Sequence, residues 1–202
     1  MATVVKVGGS LAEKVDVLKN LCISLLLYAK RHILIVIPGG GPFADLVRTV
    51  YGSLRLSETT AHWMAILAMD QYGLLLRDIA KGSSTTYSPT QALKMAKQGR
   101  LPIFLPSRIM LSHDPLEHSW RVTSDSISAY LAHVLGAERL ILVKDVDGVY
   151  AGDPRKSSSV EMLRRVDVKT LASGKGLGCV DGYLPRLLLK KPIECFVVNG
   201  HY

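Results

Sequence analysis

The sequence predicts an α/β protein, a three-layer α/β/α sandwich around a mainly parallel central sheet. The first observation is that short runs of apolar, often β-branched, residues alternate with segments whose apolar residues repeat at helical spacing. The second is that these runs are continuous rather than alternating, as expected for parallel strands that are buried on both faces. Hydrophobic residues make up 48% of the 202 residues and charged residues 21%, an ordinary globular composition that argues against disorder.

The predicted elements follow one another through most of the chain. Five apolar runs are predicted strands: Thr3–Val7, Ile33–Ile37, Leu101–Leu105, Leu140–Lys144 and Ile193–Val198. The segments between them predict four helices, over Val15–Ala29, from about Phe43 to Tyr51, from Ser57 as N-cap to about Ala80, and from Thr123 to a closing Gly136. Residues Pro106–Arg121 are polar and rich in turn formers, so we predict a loop or hairpin there.

Charge and composition narrow the possible partners. The formal net charge of +8 favours anionic partners. The basic residues are scattered and aromatic residues total 6%, whereas nucleic-acid binders usually gather their charge into a stripe with interleaved aromatics. We therefore expect a small anionic substrate and a nucleotide, and no nucleic acid; a nucleic-acid binder, retained on DNA with steep salt dependence, ranks last. No apolar run reaches the roughly 18 residues that span a bilayer, so no membrane partner is expected.

Three cysteines, Cys22, Cys179 and Cys195, lie in apolar segments without metal-ligand spacing. Together with a start that lacks the features of a signal peptide, they predict buried thiols in a reducing cytoplasm.

Two glycine-bearing turns follow the first two predicted strands, and in a parallel sheet such turns meet at the carboxyl edge, where ligands usually bind. In Lys6–Ser10, glycine amides can approach phosphate oxygens while the lysine adds a point charge. In Pro38–Pro42, three glycines precede a helix N-terminus, which is a ready anion site. The alternatives are a tight turn beside a solvated lysine and a flexible loop.

A third turn, Lys144–Tyr150, follows the fourth predicted strand and continues to Asp153. Two aspartates and a glycine at a strand end can hold a ribose or orient a metal-bound phosphate, although an Asp-Gly hairpin is the plainer alternative. Neither G-x-x-x-x-G-K-[ST] nor G-x-G-x-x-G is present, which argues against Walker-type NTPases and Rossmann dehydrogenases.

Four motifs in this order, Lys6–Ser10, Pro38–Asp45, Thr123–Ala129 and Lys144–Tyr150, resemble the amino acid kinase superfamily over almost the whole chain. His62–Gly73 together with 178–181 is similar, more narrowly, to the archaeal-type kinases that phosphorylate (5-(aminomethyl)furan-3-yl)methyl phosphate in methanofuran biosynthesis. The resemblance implies ATP and Mg²⁺ as cofactors and transfer of a phosphoryl group to a small phosphate monoester. The alternatives are a kinase for isopentenyl phosphate or a nucleoside monophosphate, and a non-catalytic nucleotide- or oxyanion-binding protein of the same fold.

The resemblance also implies roles for particular residues. The expected catalytic residues are Lys6, Asp125 and Arg186. The expected nucleotide-binding residues belong to the first and third turns: Gly8, Gly9, Ser10, Lys144, Asp145, Asp147, Gly148, Val149, Tyr150 and Asp153. The expected substrate-binding residues are Gly39, Gly40, Gly41, Asp45, His62 and Asp70. Asp45 and Asp70 are candidates for the ammonium of an aminomethyl acceptor, but His62 and Asp70 also fit as satisfied polar groups of a buried helix, and Asp125 as a helix-start carboxylate.

One feature departs from the family pattern, in which many members carry a second lysine after a glycine-containing turn near the C-terminus. Here Arg186 stands at that place, and Lys175 is the alternative. No metal-ligand cluster is visible, so Mg²⁺ is inferred from the chemistry alone. We expect one domain over residues 1–202, with an acceptor-binding lobe over 1–135 and a nucleotide-binding lobe over 136–202, and assembly into a homo-oligomer.

Overall fold

The computed structural model describes residues 1–152, 160–173 and 179–201. Its strands are β1 (Ala2–Val7), β2 (Ile33–Pro38), β3 (Ser84–Thr86), β4 (Pro102–Phe104), β5 (Arg139–Lys144), β6 (Val149–Tyr150), β7 (Met162–Leu163) and β8 (Glu194–Asn199). Six of them form one sheet in the order β3-β4-β2-β1-β5-β8, and every pairing in it is parallel. The other two, β6 and β7, form a separate antiparallel pair.

The helices are α1 (Val15–Ala29), α2 (Gly41–Leu54), α3 (Glu58–Ile79), α4 (Pro89–Lys97), α5 (Ser107–His113), α6 (Ser124–Val134), α7 (Val168–Ala172) and α8 (Leu184–Lys190). A short 3₁₀ helix, Gly9–Glu13, follows β1. The predicted N-cap of α3 is confirmed, because the Ser57 hydroxyl accepts a hydrogen bond from the Thr60 amide at 3.1 Å. No helix in these described segments combines the length and apolarity needed to cross a membrane.

Two apolar layers lie on opposite faces of the sheet, which confirms the predicted three-layer architecture. Along β1 the side chains alternate, so that Val4 packs in one layer while Val5 and Val7 pack in the other. The layer of Val4 includes Ile127 and Leu131 from α6 and apolar residues of α8. The opposite layer includes residues of α1. Both faces of the central strands are therefore covered, as their continuous apolar sequence predicts.

The predicted loop over Pro106–Arg121 is wrong in its first half, because Ser107–His113 form α5. The cause is a tertiary contact: the buried carboxylate of Asp70, on α3, accepts hydrogen bonds from the backbone amide and the hydroxyl of Ser107. A side chain from another helix thus caps the first turn of α5, which local sequence cannot show.

Several elements that the sequence did not predict are short. They are β3, α4, α7, α8 and the β6–β7 pair. One of them carried a local signal, because Ser88 caps α4 by accepting from the Gln91 amide and Pro89 begins the helix. The sequence also left an Asp-Gly hairpin open at Asp147-Gly148. These two residues instead lie between β5 and β6, outside the β6–β7 turn.

Candidate active site

The carboxyl ends of β1, β2 and β5 meet at one edge of the sheet and carry the three glycine-bearing turns. The Gly8 amide donates to the Val143 carbonyl, and the Gly39 amide donates to the Val7 carbonyl, each at 2.8 Å. These hydrogen bonds continue the strand ladders beyond β1 and β2, so they hold the turns side by side. The structure thus brings together the turns that the sequence placed at this edge.

The first two turns pack so closely that side chains would not fit. A Cβ added to Gly9 would collide with the backbone of Gly41. Gly41 itself has a φ of +57°, and a Cβ there would lie 2.9 Å from the ring of Tyr72. Gly9 is therefore required because its neighbour leaves no room for a side chain, and Gly41 is required by its backbone conformation as well. These constraints argue against a flexible loop.

The central feature of this edge is a buried ion-pair cluster formed by Lys6, Asp125 and Lys144. Lys6 lies two residues along β1 from Val4, and Lys144 lies two residues along β5 from Leu142, so both point to the face covered by α6. The Nζ of Lys6 is 3.0 Å from Oδ1 of Asp125, and the Nζ of Lys144 is 2.6 Å from Oδ2. The side chains of Lys6 and Asp125 are only 5% and 2% exposed.

Burial and neighbouring charges act in opposite directions on this cluster. Burial lowers the pKa of Lys6 below its ordinary value, and Lys144 lowers it further, while Asp125 and Asp181 oppose the shift. Burial alone would raise the pKa of Asp125, but the two ammonium groups outweigh it and hold that pKa below its usual value. Asp125 is therefore a carboxylate that is held between two cations.

A second aspartate, Asp181, organises the start of α6 and was not predicted as a site residue. Its Oδ2 accepts from the amide and the hydroxyl of Thr123 and from the amide of Ser126, each at 2.9 Å. Its Oδ1 accepts from the Ser126 hydroxyl and from the amides of Tyr183 and Leu184. Its own amide donates to Oδ2 of Asp125 at 3.3 Å. The sequence signal was its place in the narrower family motif, but its partners Thr123, Asp125 and Ser126 lie more than fifty residues away.

A cavity of about 350 Å³ opens beside the first two turns, a size typical of small-molecule sites. The residues that line it come from the first two turns, α2, α3, the segment before α6, and α6: Gly9, Ser10, Glu13, Gly40, Gly41, Ala44, Asp45, Arg48, Glu58, His62, Ala65, Ile66, Met69, Ser119, Trp120, Val122, Thr123, Ser124 and Ile127. Among them, the exposed side chains of Glu13, Asp45, Glu58 and Arg48 make no ion pair with any residue that the structure describes.

Aromatic side chains form part of the cavity wall. The guanidinium of Arg48 lies 5.0 Å from the centre of the Trp120 ring. His62 stacks on His118 with their ring centres 4.6 Å apart, and His118 in turn contacts the carboxylate of Asp114 at 2.7 Å. Burial and the neighbouring His118 lower the pKa of His62 to about 4, so its imidazole is neutral near pH 7.

The predicted substrate residues divide into two groups. Gly40, Gly41, Asp45 and His62 line the cavity, and Gly39 lies beside Gly9 in the adjoining turn. Asp70 does not line it, because its buried carboxylate is turned to Ser107, so the prediction that it meets the acceptor needs correction. Sequence reasoning missed Glu13, Glu58, Arg48 and Trp120, which lack a recognisable motif.

The described residues do not place the predicted second cation, Arg186, in this cluster. Arg186 has an exposed side chain on α8, and in the part of the chain that the structure describes the ion pairs of Asp125 are with Lys6 and Lys144. The alternative, Lys175, lies outside the described residues. Lys144, which the resemblance assigned to nucleotide binding, is therefore the second cation beside Asp125 in this cluster. A catalytic part for Arg186 stays a prediction.

The predicted nucleotide residues follow β1 and β5 at the same edge. Asp147 accepts a hydrogen bond from the Asn199 side chain at 2.6 Å, which ties this turn to the end of β8. Asp145 is exposed, whereas Gly148 is buried beside Met162 of β7. Val149 and Tyr150 form β6, and Ser10 lines the cavity beside the first two turns. Asp153 lies outside the described residues.

The described residues contain no group of three or more His, Cys, Asp or Glu side chains that could hold a metal ion. Both carboxylate oxygens of Asp125 are taken by lysines. This arrangement fits Mg²⁺ that arrives on the phosphates of a nucleotide, since Mg²⁺ usually binds through substrate phosphates with one or two carboxylates rather than in an all-protein cage.

Comparison with known proteins decides the family. The model of the amino acid kinase family matches residues 1–184. The chain belongs to the amino acid kinase family. Members of this family include a [5-(aminomethyl)furan-3-yl]methyl phosphate kinase from Methanocaldococcus jannaschii, 36% identical over 98% of this chain and 88% of the relative. A uridylate kinase from Pyrococcus abyssi is 24% identical over 98% of this chain and 90% of the relative.

Solved structures of this family share the fold. The uridylate kinase of Archaeoglobus fulgidus superimposes with a TM-score of 0.76 at 21% identity, covering 98% of this chain and 91% of that one. The UMP kinase of Bacillus anthracis gives a TM-score of 0.75 at 16% identity, over 100% and 88% of the two chains. The resemblance inferred from the four motifs is confirmed, and the chain is a phosphotransferase of the kinase class.

Proposed function

We propose that this kinase transfers the γ-phosphoryl group of ATP to the phosphate of a small monoester that also carries an ammonium group. The first candidate acceptor is [5-(aminomethyl)furan-3-yl]methyl phosphate. The observation that carries the proposal is the cluster of Lys6, Asp125 and Lys144, buried next to two close-packed glycine turns. Such a cluster offers two cations and a set of backbone amides to the negative charge of a phosphoryl group in transfer.

This phosphoryl transfer depends more on positioning of the reactants than on proton transfer by the protein. The attacking oxygen of a phosphate monoester dianion carries no proton, so no general base is needed. Asp125 would instead hold the ammonium groups of Lys6 and Lys144 at fixed positions, and its lowered pKa keeps it ionised for that task. The two lysines would neutralise charge on the transferred group, and the protein would hold the two anions in line.

The acceptor would lie in the cavity with its phosphate toward the glycine turns. The amides of Gly40 and Gly41 stand at the N-terminus of α2, where the helix dipole favours an anion. At the other end of the acceptor, Asp45 and Glu58 supply carboxylates without a described ion-pair partner, which suits an ammonium group. Trp120 supplies an aromatic surface for a ring.

The nucleotide would bind along the turns that follow β1 and β5, with Mg²⁺ on its phosphates. The predicted division into an acceptor lobe over 1–135 and a nucleotide lobe over 136–202 remains part of this proposal. Its supporting observation is that the cavity is lined by residues 9–127, whereas the Lys144–Tyr150 turn lies outside its lining.

Other acceptors fit the cavity less well. Isopentenyl phosphate has an apolar tail, which would have to lie among the carboxylates of Glu13, Asp45 and Glu58 at a desolvation cost. A nucleoside monophosphate gains no ammonium contact from these groups. The relative from Methanocaldococcus jannaschii, whose name states the aminomethylfuran phosphate, matches at 36% identity, and the uridylate kinase from Pyrococcus abyssi at 24%.

The remaining expectations stay proposals. They are a cytoplasmic homo-oligomer that acts on small molecules, without nucleic acid or membrane partners. The exposed leucines of α3 and α5, Leu67, Leu74 and Leu111, offer apolar surface for a second copy.

A coupled ADP-release assay with a panel of acceptors tests the proposal. The panel holds the aminomethylfuran phosphate, its hydroxymethyl analogue without the amine, isopentenyl phosphate, UMP and AMP. We expect the aminomethyl compound to exceed the hydroxymethyl analogue in kcat/KM by about tenfold to a hundredfold, the range of one charged contact. Preferred turnover of UMP or isopentenyl phosphate would contradict the acceptor assignment. Bound ATP without turnover of any acceptor would indicate a binding protein.

A further inference from the structure

The carboxylate of Asp181 joins two helix starts that are distant in sequence. Its oxygens accept six hydrogen bonds from residues that the structure describes, three of them at the beginning of α6 through backbone amides and Thr123, and three through the Ser126 hydroxyl and the amides of Tyr183 and Leu184. Both helix N-termini thus share one negative charge, which their dipoles favour.

This carboxylate is also linked directly to the ion-pair cluster. The Asp181 amide donates to Oδ2 of Asp125, the same oxygen that meets Lys144. Asp125 is the second residue of α6, so a shift of the first helical turn would move its carboxylate relative to the two lysines. The strands that carry those lysines are held in the sheet, whereas the start of α6 depends on its cap.

We propose that Asp181 is a positioning residue for phosphoryl transfer, which fixes the first turn of α6 so that Asp125 stays between Lys6 and Lys144. The inference rests on the proposed function of that cluster. Asparagine cannot replace this carboxylate, because every backbone partner is an N–H donor. Whichever way the amide is turned, its NH₂ group would face two backbone amides and leave them unpaired.

The main test compares Ser126 and Ser128, two serines of α6 whose side chains are fully buried. The Ser126 hydroxyl donates to Asp181, whereas the Ser128 hydroxyl has no hydrogen-bond partner among the described residues. We expect Ser126→Ala to lower kcat several-fold with KM for ATP and acceptor unchanged, and Ser128→Ala to leave both parameters within about twofold. Equal kcat in the two variants would overturn the proposal.

The stronger variant is Asp181→Asn, with Asp167→Ala as the control for loss of a helix cap. Asp167 caps α7 by accepting from the Lys169 amide at 2.7 Å, so its loss measures a purely structural cap. We expect Asp181→Asn to lower kcat on the order of tenfold to a hundredfold, the cost of a misplacement near 1 Å. Asp167→Ala should lower the unfolding temperature without changing kcat. A fall in kcat that merely follows thermal stability in both variants would contradict the proposal.

The pH dependence of kcat is a second test, because a side chain with a purely structural role would not change it. Among the described residues, the charged groups that face Lys6 are Asp125 on α6, Lys144 on β5 and Asp181 before α8. Lys6 acts as a cation, so activity falls as pH rises through its pKa, and displacement of Asp125, whose charge raises that pKa, lowers it further. Ser126→Ala keeps the Asp181 charge, so the alkaline limb of kcat should move to lower pH in this variant only if Asp125 is displaced, and it should stay in place in Ser128→Ala. An unmoved limb in Ser126→Ala would contradict the proposal.

A measurement without turnover separates this inference from the proposed function. NMR of protein with ¹³C-labelled lysine Cε follows the titration of Lys6 directly. If the wild-type protein phosphorylates no acceptor, the proposed function fails, but a lower Lys6 titration in Ser126→Ala, which keeps the Asp181 charge, would still support the positioning role. An unchanged Lys6 titration would overturn it, whatever the acceptor proves to be.

Discussion

At the scale of single residues, the site depends on which cation stands opposite Lys6. Sequence reasoning sought the second cation near the C-terminus, at Arg186 or Lys175, by analogy with relatives. The structure places Lys144 there, 2.6 Å from Asp125, because the last residue of β5 points to the face that α6 covers. Both lysines could be assigned to this face only once the register of β1 with β5 was known.

Replacement of Lys144 by methionine keeps the length of the side chain and removes the charge. We expect Lys144→Met to lower kcat about a hundredfold or more, since it removes one charge donor to the phosphoryl group. Arg186→Met should leave kcat within about threefold, because its side chain is exposed and apart from Asp125. Steady-state kinetics on both variants, with thermal unfolding as the check on folding, measures the difference. The reverse order would return the second catalytic cation to Arg186.

At the scale of secondary-structure elements, α5 shows how a buried charge can be structural. Asp70 and Asp45 looked equivalent in sequence, since each is a carboxylate on a helix near the glycine turns. Asp70 instead caps α5 through Ser107, while Asp45 lines the cavity on α2. Sequence alone shows that α3 carries a carboxylate at Asp70. It does not show that α5 contacts this carboxylate, because the contact depends on how α3 packs.

Substitution of each carboxylate separates these roles. We expect Asp70→Ala to destabilise the protein by about 1–3 kcal/mol, because the buried amide and hydroxyl of Ser107 would lose their acceptor. The KM for the acceptor should not change. Asp45→Asn should raise the acceptor KM about tenfold and leave the unfolding temperature unchanged. Denaturant unfolding and steady-state kinetics on the two variants decide the matter, and a raised KM in Asp70→Ala would contradict the structural role.

Long, buried helices and strands were predictable from the sequence, and most short ones were not. β1, β2 and β5, with α1, α3 and α6, were predictable because the periodicity of long buried segments is strong. β3 has three residues, too few for a clear pattern, and was missed, whereas β4 lies inside the predicted strand Leu101–Leu105. The β6–β7 pair was missed for the same reason, although its first strand lies inside a recognised motif.

At the scale of the whole molecule, one sheet edge gathers residues from distant parts of the sequence. Parallel pairing brings the ends of β1, β2 and β5 together, and the helices that follow supply amides, carboxylates and Asp125. The glycine turns and Lys6 were therefore predictable as neighbours. The cavity wall was not, since Glu58, Arg48 and Trp120 meet only through the packing of α2, α3 and the segment before α6.

The most direct test of the central claim is to identify the product of the reaction. The kinase is mixed with ATP, Mg²⁺ and [5-(aminomethyl)furan-3-yl]methyl phosphate and followed by ³¹P NMR, with Lys6→Met as the control. We expect the monoester resonance to give way to the two coupled resonances of a diphosphate, in step with ADP, and no such change with Lys6→Met. An unchanged monoester resonance, with ATP intact or hydrolysed only to inorganic phosphate, would contradict the claim.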